Sequence, residues 1–175
     1  MKRIGSHWVY SAPGVNYRNS AVEISVDNKL IRVIDLTQEI AEPCRTLFYN
    51  GIISASILSV SQQIKKKFIS TEQFNYIDLK YNHELSPERL NPDLPFIFDF
   101  GTENPDEINK MMPELFRFSG ILTLSRIVEG CVYNPRGFLG ALHDGIFSGC
   151  SDLILWENNY LADNKMSEKC CIRKI

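Results

Sequence analysis

The 175-residue chain has no apolar run near the ~18 residues that a bilayer-spanning helix needs. Lys2 and Arg3 stand near its start, but no apolar stretch of signal-peptide length follows them. It has no Cys-x2-Cys pair. Its five cysteines, Cys44, Cys131, Cys150, Cys170 and Cys171, are odd in number and irregular in spacing. That pattern suits neither a secreted disulfide framework nor a structural zinc site. The expectation is therefore reduced thiols in a cytoplasmic protein with no membrane segment. A basic excess is missing as well. The formal net charge is −2, which argues against a dedicated nucleic-acid binder. Neither a P-loop nor a dinucleotide-binding fingerprint occurs, and the acids lack calcium-loop spacing. No cofactor and no metal are expected. No Gly/Ser-rich linker or internal repeat divides the chain.

What is present fits one globular domain. The hydrophobic and charged fractions, 44% and 23%, sit close to globular averages. A chain of this length buries roughly 70% of its unfolded surface, enough for a core without staples. The reading is a single domain over residues 1–162, followed by a mobile polar and basic tail over residues 163–175.

Local patterns give the elements. Residues 7–10 suit a short strand, and Ser11-Ala12-Pro13-Gly14 a turn. Val22, Ile24 and Val26 alternate with Glu23 and Ser25, a polar turn follows at 27–29, and a second β-rich run covers 30–36. Together these predict a β-hairpin. Thr37 is placed to cap a short helical turn that ends before Pro43. In residues 52–68, apolar positions recur every three or four residues, and Lys65, Lys66 and Lys67 suit the last turn of a helix. Residues 53–57 also alternate as a strand does, but the length favours a helix. Strands are predicted over 74–81 and 96–100, with a loop between them marked by Pro87, Pro92 and Pro95. Asn104-Pro105, with Asp106 and Glu107 behind, reads as a helix start, and Pro113 as its break or restart. A strand over 121–128, a tight turn at Asn134-Pro135-Arg136-Gly137, a helix over 138–147 and a hairpin joining 153–156 to 160–162 complete the pattern. Strands and helices intersperse without regular βαβ alternation. The expected fold is α+β, with a mostly antiparallel or mixed sheet and two to four helices packed on it as one pair of layers.

Charge is distributed unevenly. From His83 to Glu107 lie seven acids, Glu84, Glu88, Asp93, Asp99, Glu103, Asp106 and Glu107, opposed only by Arg89. That gives −6 in 25 residues, while the remainder of the chain is +4. A proline-rich acidic loop in solvent steers a basic partner by long-range attraction. Nucleases are such partners, because polyanionic substrates require positive surfaces. The expectation is a non-enzymatic protein-binding protein. Its most concrete form is an immunity or inhibitor protein that neutralises a basic bacterial toxin, with Phe96 and Phe98 as apolar anchors. The plainer explanation is that soluble surface loops are polar.

An alternative is a small hydrolase or transferase. His143, Asp144 and Cys150 would form the catalytic site, and Arg136, at a predicted helix start, would hold an anionic substrate. Cys131 and Cys150 also read simply as buried small hydrophobes. The basic and aromatic residues Lys2, Arg3, Trp8, Tyr10, Tyr17 and Arg18, with Lys65–Lys67, resemble a single-strand nucleic-acid surface. A surface strand with its aromatics turned inward is the preferred reading of the first group.

Overall fold

The computed structural model describes residues 1–27, 29–38, 45–60, 73–81, 86–139, 152–158 and 164–175. The fold is α+β. A mixed six-stranded sheet runs in the order β3-β2-β1-β4-β7-β8, and a separate two-stranded sheet pairs β5 with β6. β1 (Lys2–Ala12), β2 (Val15–Ile24) and β3 (Leu30–Asp35) form an antiparallel meander. The expected hairpin is its second half. Its first half turns at Pro13-Gly14, where Gly14 takes φ +70°, a conformation that favours glycine. β4 (Thr46–Ala55) runs parallel to β1 and antiparallel to β7 (Leu153–Glu157).

Residues 52–55, expected to open a helix, are thus strand. The reason is visible at Gly51. A Cβ there would lie 2.0 Å from the Trp156 carbonyl oxygen, so β7 crosses against a bare backbone. Ile52 and Trp156 are register partners and both fully buried. Cross-strand burial on this scale overrides a three-to-four spacing that local sequence shares with a helix. Lys65, Lys66 and Lys67 lie outside the described residues, as does Pro43.

β5 (Asn75–Asp78) and β6 (Phe96–Asp99) are parallel. Helix α1 (Pro105–Phe116) follows β6. Its cap is Asn104, whose side chain accepts from the Asp106 N–H at 2.9 Å. The break expected at Pro113 does not occur. Ile108, Met112 and Leu115 bury one stripe of α1, and Pro113 lies on the exposed side, so tertiary packing outweighs the lost hydrogen bond.

The strand expected over 121–128 is also corrected. α2 (Leu124–Val128) runs into a π-helical turn (Glu129–Tyr133) and then α3 (Asn134–Phe138). Leu124, Ile127, Val128 and Cys131 are all fully buried, at the i, i+3, i+4, i+7 spacing of a helix face. The tight turn expected at 134–137 is the first part of α3. The helix expected over 138–147 starts where α3 ends, and residues 140–151 lie outside the described residues.

The carboxyl end corrects two further expectations. β7 pairs with β8 (Cys171–Lys174), and 160–162 lie outside the described residues. Residues 171–174, expected to be mobile, are a strand of the main sheet, with Cys170 and Ile172 buried. The Asn109 side chain of α1 donates to the Ile172 carbonyl at 2.9 Å and accepts from the Ile172 N–H at 2.8 Å. Asn158 likewise ties down the β7–β8 connection, donating to the Lys165 carbonyl and accepting from the Ser167 N–H.

The main core lies between one face of the large sheet, the small sheet and the helices. It joins Ile52, Trp156 and Ile172 to Phe98, Phe100, Leu115 and Ile127. A second apolar cluster of Ile4, Val9, Val22, Ile53, Leu153 and Leu155 packs on the large sheet. No helix among the described residues is long and apolar enough to cross a membrane.

Candidate functional site

The acidic segment wraps the small sheet. Glu88 sits in a 3-10 turn (Pro87–Arg89) and Asp93 in the loop leading to β6. The Asn75 side chain donates to the Asn91 carbonyl at 2.7 Å, and the Asn75 N–H donates to the Pro95 carbonyl at 2.8 Å. This loop is therefore fastened to the start of β5. Glu103, Asp106 and Glu107 follow the other end of β6. Four strand residues separate the two groups, ~10 Å at about 3.3 Å per residue. The exposed acids thus form two clusters at opposite ends of the small sheet, where the sequence suggested one. Glu88, Asp93, Glu103, Asp106 and Glu107 are all exposed.

Asp99 does not belong with them. It is 0% exposed. One carboxylate oxygen accepts from the Ser59 hydroxyl at 3.0 Å and the Gly101 N–H at 2.9 Å, and the other accepts from the Tyr76 hydroxyl at 3.0 Å. Burial, reinforced by the negative charge of Asp99, pushes the Tyr76 phenol well above its ordinary value. Asp99 holds residues 59 and 76 together and has no surface to offer a partner. Phe96 and Phe98, proposed as anchors, are equally internal, at 1% and 0% exposed. The sequence reading passed over Asp78, which is Asp99's register partner at the same end as Glu103. The β5 alternation could have placed it there. Glu84 lies outside the described residues.

Ion pairs are distributed unevenly too. Glu23, Asp27, Glu114, Asp152 and Glu157 each pair with a lysine or arginine. Among the described residues, no acid between positions 78 and 107 does.

The alternative site is not assembled by the described residues. His143, Asp144 and Cys150 lie outside them. Arg136 donates to the Val132 carbonyl at 2.6 Å and to the Ser56 hydroxyl at 3.1 Å, which commits its guanidinium to the fold. Burial pushes the Cys131 thiol well above its ordinary value and the Cys170 thiol up to about 12. Protonated thiols are poor nucleophiles. Among the described residues no three His, Cys, Asp or Glu side chains gather as metal ligands.

The amino-terminal basic and aromatic group also disperses. Arg3 is buried against Glu23, Tyr10 is in the core, and Arg18 stacks over Trp8 at 5.8 Å.

One concave feature escaped the sequence reading. A cleft of about 340 Å³ opens where the β1–β2 turn, the starts of β5 and β6, and α3 meet. Pro13, Phe74, Pro95, Ile97, Asn134 and Phe138 are among its walls. These come from four distant stretches of chain, so no local motif announces them. The chain matches no known protein-family model, and no curated protein matches it.

Proposed function

We propose that this is a non-enzymatic protein-binding protein that docks a basic partner through its exposed carboxylates. An immunity or inhibitor role toward a basic toxin, such as a nuclease, is the concrete form of that reading. The observation that carries it is the asymmetry of ion pairing. Five of the eight described side-chain carboxylates outside positions 78–107, Glu23, Asp27, Glu114, Asp152 and Glu157, are matched by the protein's own cations, whereas none of Glu88, Asp93, Glu103, Asp106 and Glu107, all in solvent, has such a match among the described residues. Unmatched surface charge acts at long range, raising association rates and making them sensitive to ionic strength. Because the acids fall into two clusters, the partner either spans the small sheet or uses one end of it.

The test begins with capture of a stoichiometric partner from the native cell. Association is then measured at low and high salt for the unaltered chain, for E88Q/D93N and for E103Q/D106N/E107Q. One cluster variant is expected to slow association at least about tenfold at low salt, with the difference shrinking at high salt. Unchanged rates and salt dependence in both variants would overturn the reading.

A further inference from the structure

The cleft at the start of β5 and β6 has the features of a small-ligand site. Its volume, about 340 Å³, lies within the range of ligand pockets, 300–1,000 Å³ by general survey (roughly). Taking about 30 Å³ for the share of one water, it holds the equivalent of roughly eleven waters, ample room for one bicyclic ring system. The walls are mainly apolar rings. Phe74 and Phe138 meet edge to face at 5.3 Å between centroids, and Pro13 and Pro95 flank them. None of the described lining residues carries a charge, so the occupant it suits is neutral.

Two side-chain amides line the cleft, Gln73 and Asn134, and Asn134 is held in a fixed direction. The Asn134 amide nitrogen donates to the Phe96 carbonyl at 2.7 Å. That bond fixes the amide's orientation, because only its nitrogen can donate. The Asn134 carbonyl oxygen remains as an acceptor, and it takes no hydrogen bond from the described residues. The backbone is adapted to present this residue. The π-helical turn (Glu129–Tyr133) immediately precedes Asn134, and such turns are frequent at functional sites. The turn is fitted closely to β6, since a Cβ on Gly130 would lie 2.7 Å from the Phe98 ring. Tyr133, also a wall residue, donates its hydroxyl hydrogen to the Tyr10 carbonyl, which anchors the turn to the large sheet.

From these features we infer that the cleft binds a neutral bicyclic aromatic heterocycle carrying one N–H donor, with the ring against Phe74 and Phe138 and the N–H directed at the Asn134 carbonyl oxygen. Aromatic walls favour an aromatic occupant over an aliphatic one of equal area. The open acceptor favours an N–H over a C–H at the ring edge.

Indole and its carbocyclic isostere indene are the probes. Amide NMR of the full chain is expected to show saturable shifts at Asn134, Gly137 and Phe138 with indole, with a dissociation constant below about 1 mM, and weaker binding of indene by about three- to tenfold. Gly137 lines the cleft from an exposed position of α3, so Gly137→Phe fills it from outside the core. That variant is expected to weaken indole binding at least about tenfold while the melting temperature holds. Asn134→Leu is expected to abolish the preference for indole over indene. The indole-to-indene comparison in the unaltered chain needs no variant to fold. Absence of saturable indole binding, shifts that map away from the cleft, or full affinity in Gly137→Phe would each overturn the inference.

Discussion

Glu23 and Asp99 are both sealed from water, at 2% and 0% exposed, yet the chain compensates them in opposite ways. Glu23 sits in the middle strand of the β1–β2–β3 meander, in register with Arg3 on one side and Arg32 on the other. Both guanidinium groups reach it at 2.7 Å. Asp99 ends β6 and, among the described residues, is met only by uncharged donors, two hydroxyls and one backbone N–H. The first arrangement cancels charge. The second supplies hydrogen bonds and no described cation, and burial, with the neighbouring Asp99 carboxylate adding to it, raises the Tyr76 phenol. A buried charge thus tolerates either remedy, but the remedies fail differently when one member is removed.

The largest effect is expected from Glu23→Gln. Two cations, one of them buried, lose their carboxylate, and chemical denaturation should report about 3 kcal/mol or more of lost stability. Acid titration sharpens the same point. Hydrogen bonds from Arg32 and Arg3 hold the Glu23 carboxyl below its ordinary value of 4.5. Its contribution is therefore present above pH 4.5 and lost as pH falls through the lowered folded value. Stability measured against pH should show a shallower acid limb in Glu23→Gln. A slope equal to the parent's would mean that Glu23 does not couple folding to protons.

Asp99→Asn comes next, at about 1–3 kcal/mol, because the hydrogen bonds that Ser59, Gly101 and Tyr76 make to a carboxylate are replaced by weaker ones to a neutral amide with one accepting oxygen fewer. Ultraviolet titration of the tyrosines should also show the Tyr76 phenol ionising at lower pH in this variant. Burial still holds it up, but the adjacent negative charge is gone. An unchanged tyrosine titration would break the contrast between the two carboxylates. Arg32→Ala should cost least, under about 1 kcal/mol. Arg32 is 61% exposed at its side chain, and solvent screens its half of the Glu23 site.

The sequence disclosed elements whose signal is local. The β2–β3 hairpin shows in alternating Val22 and Ile24, and the start of α1 in Asn104-Pro105-Asp106-Glu107. It misled where β-branched residues and short apolar runs fit two periods. In residues 121–128 the strand-like Ile and Val content hid a helical spacing that only becomes plain when Cys131 is included. Residues 52–55 carry both signals, and the partner that decides for a strand, Trp156, lies about a hundred positions away. The candidate site was legible only as charge. Composition located the acids but gave Asp99 and Glu103 equal standing, although one ends a buried strand and the other stands in solvent. The cleft was illegible in principle, since its walls are assembled by topology from residues with no shared motif.

Asn109 offers one amide donor and one amide acceptor to a single backbone residue of β8, Ile172. In effect it is a one-residue strand laid against the sheet's last rung. Sheets recruit neighbours through unmatched backbone groups at their margins, and this margin is stoppered by a helix side chain. Fibre-like growth of the six-stranded sheet through Ile172 would first have to evict that amide, which makes α1 a guard against polymerisation as well as a wall of the core.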